Sequence, residues 1–195
     1  MKNKTKTYLY IVLIFFAFTG NLKAEKDFIF ESNSLEIKED GNLITAKNGV
    51  RITSQDGLII SSNNSKYFKI EKKLILVGDV KINDINRNLK INSNEIIYDK
   101  KTEKIISKDE TFINIGNNFS IESSNIEYSR LKNIIRSNQK TVLTDNHNNK
   151  IETNSFIYLS KKKEFKSKNL LFTDKYLNRY ISKDEFINLK NNEIA

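Results

Sequence analysis

From residue 30 onward the apolar residues arrive in short pulses, and within each pulse they fall at every second position. That is the period of a β-strand whose two faces meet different surroundings, and not the period of a helix. One pulse has a fixed form. Ile91, Ser93, Ile96 and Tyr98 stand in the order apolar, any, hydroxyl, two of any kind, apolar, any, apolar. The form recurs at Ile121, Ser123, Ile126 and Tyr128, at Ile151, Thr153, Phe156 and Tyr158, and from Phe30 to Ile37 around Ser32. It is weaker from Ile60 to Tyr67, where Ser65 takes an apolar place, and from Tyr180 to Ile187, where Glu185 does. The hydroxyl residues Ser32, Ser62, Ser93, Ser123, Thr153 and Ser182 lie 30, 31, 30, 30 and 29 residues apart. A fixed period of this length marks a tandem array of about six units.

Two more pulses complete each unit. One falls twelve residues after the hydroxyl, at Ile44, Leu74, Ile105, Ile135 and Phe165. Another closes most units, at Val50 with Ile52, Val80 with Ile82, Thr111 with Ile113 and Thr141 with Leu143. The two-residue gap after the hydroxyl shifts the alternation by one, which in a strand flips the facing and predicts a bulge or corner. Turn-formers separate the pulses, among them Asp40-Gly41-Asn42, Asp56-Gly57, Asn86-Arg87-Asn88 and Gly116-Asn117-Asn118. Asn, Asp and Gly tolerate the positive φ of tight hairpins, so the expectation is an all-β, antiparallel repeat array. A single unit buries too little apolar surface to offset its ordering entropy, and stacking must supply the core.

The first residues follow a different plan. Lys2, Lys4 and Lys6 precede an 11-residue apolar run, Tyr8 to Phe18, after which come Thr19, Gly20 and the small residue Ala24. This is the layout of a secretory signal peptide over residues 1–24, followed by one domain over residues 25–195. The run falls short of the ~18–20 residues that cross a bilayer, although Leu22 is large for a cleavage site and leaves an uncleaved anchor open. Export to the periplasm is the expectation in either case.

Composition changes little of this. The 195-residue chain has no Cys, Pro or Trp and is rich in Lys, Asn and Ile, so thiolate chemistry and disulfides are excluded. Its formal charge of +9 falls to +5 without the leader lysines, and no basic face interleaved with aromatics argues for nucleic acid. His147, the one histidine, sits in an Asn-rich turn without the partners a metal site needs. No nucleophile elbow or phosphate loop is present, and no enzyme, cofactor or metal is expected. Lys72-Lys73, Lys100-Lys101, Arg130 with Lys132, and Lys161 to Lys163 fall at equivalent offsets, so stacking would set them in a row along one rim. That row reads either as solvated turns or as a surface for phosphates.

Ile44-Thr45-Ala46-Lys47-Asn48-Gly49-Val50, Leu76-Val77-Gly78-Asp79-Val80-Lys81-Ile82 and Ile91 to Asp99, ending in Ile-Tyr-Asp, resemble the OstA-like domains of lipopolysaccharide transport. These are the domains of the LptA protein and of the N-terminal part of LptD, and the resemblance spans about Asp27 to Asn188. It implies a folded-over β-jelly roll, or β-taco, that holds acyl chains and joins edge to edge into a bridge to the outer membrane. The implied partners are lipopolysaccharide or a related lipid, other Lpt components, and further copies of the chain joined head to tail. An LptC-like component that keeps its N-terminal helix as an anchor also fits, as does a structural or adhesive β-solenoid without lipid. Ile91, Ile96, Tyr98, Ile121, Ile126, Tyr128, Ile151, Phe156 and Tyr158 are the residues placed against lipid; as a bare pattern, they read first as a core ladder. Phe28 and Phe30 at one end, and Ile181 and Ile187 at the other, are the expected assembly edges, because no Pro blunts them.

The leader reading has a direct test. N-terminal sequencing of periplasmic material should find Glu25 first, and an intact Met1 in the membrane fraction would instead establish an anchored chain.

Overall fold

The computed structural model describes residues Phe28–Leu189. Residues 1–24, read above as a signal peptide, lie outside the described residues. Each apolar pulse forms a strand: β1 (Ile29–Lys38), β2 (Leu43–Thr53), β3 (Leu58–Ser62), β4 (Asn64–Phe68), β5 (Lys73–Asp84), β6 (Leu89–Asp99), β7 (Lys104–Ser107) and β8 (Thr111–Ile115). The array continues through β9 (Phe119–Ser123), β10 (Glu127–Ser129), β11 (Ile134–Ser137), β12 (Thr141–Asp145), β13 (Lys150–Thr153), β14 (Phe156–Leu159), β15 (Glu164–Thr173) and β16 (Arg179–Asn188). Single 3-10 turns at Glu39–Gly41 and Ile85–Arg87 are the only helical segments among the described residues. No described helix is long and apolar enough to cross a membrane.

The strands make one antiparallel sheet folded over into two leaves. Six long strands run through both. β5, for example, pairs with β4 through residues 73–77 and with β3 through residues 81–84. In the middle units each long strand is split at the fold. β8, β9, β12 and β13 then lie in the first leaf, while β7, β10, β11 and β14 lie in the second. Both leaves are bounded by the same two strands, since β1 pairs only with β2 and β16 only with β15 among the described residues. The expected folded-over β-jelly roll is the architecture found.

The repeated hydroxyl marks the fold line. In β6, Leu89 and Ile91 point inward in the first leaf, Ser93 turns the corner, and Ile96 and Tyr98 point inward in the second. The shift of one position keeps the apolar face inside on both sides of the bend. Crossing leaves backbone carbonyls without ladder partners, and the hydroxyls take them. Ser32 Oγ donates to Lys47 O at 2.7 Å, Ser93 Oγ to Glu110 O at 3.2 Å, Ser123 Oγ to Lys140 O at 3.2 Å and Thr153 Oγ1 to Lys168 O at 3.0 Å. Second hydroxyls join them: Thr111 Oγ1 lies 3.1 Å from Ser93 Oγ, and Thr141 Oγ1 2.8 Å from Ser123 Oγ. In β5 the bend is made by a bulge between Val77 and Val80. There Gly78 has φ +82°, and a Cβ on it would stand 2.7 Å from Asn63, so no other residue fits without displacement.

The fold line therefore carries stability. Thr141→Val, which strips a buried hydroxyl bonded to Ser123 and to Gln139 O, should cost about 1–3 kcal/mol in urea unfolding. Ile121→Pro, in a strand paired on both sides, should unfold the domain outright.

Candidate functional site

The inward residues of each leaf line up across the whole sheet. In the second leaf, Tyr67, Leu74, Tyr98, Ile105, Tyr128, Ile135, Tyr158 and Phe165 are successive cross-strand partners. In the first leaf Ile52, Ile60, Ile82, Ile91, Ile113, Ile121, Leu143 and Ile151 do the same. Together they form one core between the leaves. All nine residues read above as lipid-facing, Ile91, Ile96, Tyr98, Ile121, Ile126, Tyr128, Ile151, Phe156 and Tyr158, are buried in it. In this closed form they pack on one another.

The fold leaves the opposite side of the sandwich as a mouth between two rims of turns. The second-leaf rim is the row in which the basic residues were expected, and its turns bond each to the next. Lys100 N–H donates to Lys72 O at 2.9 Å, Arg130 N–H to Glu103 O at 2.9 Å and Ser160 N–H to Asn133 O at 3.0 Å. The first-leaf rim is built in the same way, with Gly116 N–H donating to Asn88 O at 2.8 Å and Asn146 N–H to Asn118 O at 3.0 Å.

Two devices close this mouth. Phe28, read as part of an assembly edge, lies just before β1 and covers the opening, with its ring edge-on to Tyr67 at 5.0 Å and to Tyr98 at 5.9 Å. Lys100 covers that ring from outside at 5.0 Å. Phe30 packs partly buried beside it, opposite Ile52. At the other end, Ile181 is exposed on β16, while Ile187 pairs with Phe165 through its backbone.

The second device is ionic. Arg130, expected on the solvated rim with Lys132, instead turns inward and is only 1% exposed. From the second leaf it reaches the first, where Nε donates to Asp84 Oδ2 at 2.9 Å and Nη1 to Asp56 Oδ2 at 2.5 Å. Nη1 also pairs with Glu103 and donates to the Tyr98 hydroxyl at 3.0 Å. Tyr128 OH donates to Asp84 at 3.1 Å, and Arg87 pairs with Asp84 at 3.4 Å. A charge this deep would be costly alone, yet here three carboxylates surround it. Burial disfavours the charged guanidinium, but the Asp84 and Asp56 hydrogen bonds outweigh it and hold Arg130 charged. Burial likewise pushes the Tyr98 and Tyr128 hydroxyls well above their ordinary range, so they stay neutral donors. Burial also raises Asp56, but hydrogen bonds from Ser54 and Arg130 prevail and its carboxyl lies below the ordinary 3.8.

The sequence carried one trace of this cluster. Only five of the 33 basic residues are Arg, and two of those five, Arg87 and Arg130, meet here. The guanidinium fork can satisfy several carboxylate and hydroxyl acceptors at once, and an ammonium cannot. His147 sits in its turn as expected, with its N–H on Asp145 Oδ1 at 2.9 Å. Among the described residues no group of three His, Cys, Asp or Glu is placed to hold a metal.

Arg130→Ala should strand buried Asp84 and cost about 3–5 kcal/mol in denaturant unfolding. Asp56 is depressed in the folded state, so its contribution is complete above its unfolded value and is lost as the pH falls through its lower folded value. Wild-type thermal stability should therefore drop as the pH is taken below about 4, and Asp56→Asn should lessen that drop.

No curated protein matches the chain in sequence. Among solved structures it is similar to LptH from Pseudomonas aeruginosa, the LptA homologous periplasmic component of that organism's lipopolysaccharide transport device. That likeness has 10% identity and a TM-score of 0.29, over 72% of this chain and 81% of that one. The sequence profile of the family described as "Lipopolysaccharide-assembly, LptC-related" matches residues 25–141, more than half of the chain. The chain belongs to this LptC-related family of lipopolysaccharide-assembly proteins, and its function lies in lipopolysaccharide transport.

Proposed function

We propose that the chain works in the periplasm by taking the acyl chains of lipopolysaccharide between its two leaves and passing them along through its open edges. The observation that carries this reading is the continuity of the interior. In the first leaf the apolar row extends past its buried centre to Phe30 on β1 at one edge, and to Phe172 and Tyr180 at the other. The second-leaf row likewise extends through Ile44 to Ile37 on β1. A closed domain has no need of apolar rows that run out to unpaired strands, and Ile29, Leu35, Ile37 and Ile181 there are exposed. A neighbour added to β1 or β16 by strand pairing would prolong both rows across the junction, so lipid would cross without meeting water.

Lipid enters by replacement. The interior is filled by its own side chains, so acyl chains require the rims to part and the apolar area to be handed from side chain to methylene. Each buried Å² of that area is worth about 25 cal/mol whichever partner covers it, so the exchange is near balance. Phe28 and Arg130 then act as the closures that keep the empty groove from exposing itself. The family match also favours a second form of this reading, an LptC-like component held at the inner membrane by its N-terminal segment. No catalytic step is part of either form.

A photo-crosslinker placed at Ile96, Ile126 or Phe156 in cells should capture lipopolysaccharide, and one at Asn117 on the rim should not. Equal capture at all four positions, or none, would remove the groove from the account.

A further inference from the structure

One unit beyond the Arg130 cluster, the two rims do not meet, and a cleft of about 180 Å³ lies between them. Its floor is apolar, formed by Leu89, Ile115 and Phe119 of the first leaf. Arg87 stands at one lip and Lys163 at the other. None of its lining residues is a carboxylate. Lys163 makes no ion pair with any described residue, while Arg87 is partly neutralised by Asp84 behind it. Arg87 spends its remaining bonds on Asn133 Oδ1 and Arg130 O, both at 3.3 Å, and keeps donors to spare of its five.

The hydroxyls in this cleft are what set it apart. Tyr98 and Tyr128, two units and one unit earlier in the same row, spend their hydroxyls on Glu103 and Asp84. Tyr158 is buried as a residue, at 3% exposure, but it lines the cleft and its hydroxyl has no hydrogen-bond partner among the described residues. Ser160 Oγ, two residues on and lining the same cleft, is buried and also without a partner. A buried polar group left unpaired costs free energy, and the Ser160 Oγ, beside a Tyr158 hydroxyl that no described residue bonds, points to a group that arrives from outside. Two hydroxyl donors, a guanidinium fork and an ammonium, with no acceptor carboxylate, match the several oxygens of a phosphate. The volume equals about six waters at ~30 Å³ each, enough for a headgroup and too small for a whole glycolipid.

We propose that this cleft holds the phosphorylated headgroup of an amphiphile, whose first methylenes lie on Leu89, Ile115 and Phe119. The proposal rests on the lipid-carrier reading and adds to it where the polar end of the lipid sits and which groups recognise it. The unpaired hydroxyls of Tyr158 and Ser160 are then the two positions that wait for phosphate oxygens.

The test titrates the whole chain with dodecyl phosphate, dodecyl maltoside and inorganic phosphate by calorimetry, below the micelle concentrations. Dodecyl phosphate should bind at one site, at least about tenfold more tightly than either of the others. The double variant Tyr158→Phe with Lys163→Gln should lose that margin and keep its affinity for dodecyl maltoside. Tyr158→Phe deletes a hydroxyl without a protein partner, so the variant should melt no lower than wild type, and a loss of binding is not a loss of fold. Inorganic phosphate binding as tightly as dodecyl phosphate would overturn the amphiphile, leaving a site for free phosphate. Dodecyl maltoside binding equally well, or a margin unchanged in the variant, would overturn headgroup recognition. Crosslinking within the groove does not use these groups, so capture there without a phosphate preference would sink this site alone. Phosphate-dependent binding here without capture in the groove would sink the carrier reading alone.

Discussion

Every unit must carry its chain from one leaf to the other at midpoint without leaving the backbone unpaired, and the rest of the structure depends on how that is done. Ladder hydrogen bonds stop at the bend, and the carbonyls there need other donors. The hydroxyls of Ser32, Ser93, Ser123 and Thr153 supply the missing donors from the one position that sits at the corner in every unit. Because the hydroxyl is followed by a two-residue gap, the apolar face does not change sides as the chain bends. Two leaves facing inward and a mouth opposite the fold follow from that single offset.

A mouth over an apolar interior is a liability in water, and the protein closes it with contacts of unlike strength. Phe28 is one ring just before β1, held by edge contacts to two tyrosines. The Arg130 cluster is ionic and deep, and it ties the β10–β11 turn to Asp84 on β5 and Asp56 in the β2–β3 turn. Buried ion pairs contribute less to stability than their Coulomb energy suggests, because both charges were hydrated before folding. What such a pair does well is choose a single geometry, here the closed one. Farther along, between Tyr158 and Lys163, nothing equivalent crosses the mouth among the described residues, and the buried, unpaired Ser160 Oγ is found there.

Much of this was legible in the sequence, and the boundary has a physical reason. The period of about 30 residues, the corner at each hydroxyl and the inward facing of Tyr98, Tyr128 and Tyr158 are local properties, set by spacing within one unit. The basic rim was legible for the same reason. Arg130 was not, because its partners lie 46 and 74 residues away in sequence and become neighbours only when the leaves close. Periodicity placed it beside Lys132 as a solvated turn residue. Phe28 was read as an edge because it opens the first strand pattern, and only the closure of the leaves brings Tyr67 and Tyr98 within reach of its ring. The cleft escaped for a related reason. Tyr158 matches its row in every sequence respect, and it differs only in lacking the carboxylate partner that Tyr98 finds in Glu103 of its own hairpin and Tyr128 in Asp84 across the mouth.

All of this stands on the claim that the rims part to admit lipid. Distances between spin labels at Asn117 on the first-leaf rim and Lys162 on the second test it directly, measured with and without lipopolysaccharide. The account predicts a single short distance in the free protein and a longer, populated one when lipopolysaccharide is bound. A distance distribution that stays the same at saturating lipopolysaccharide would contradict it.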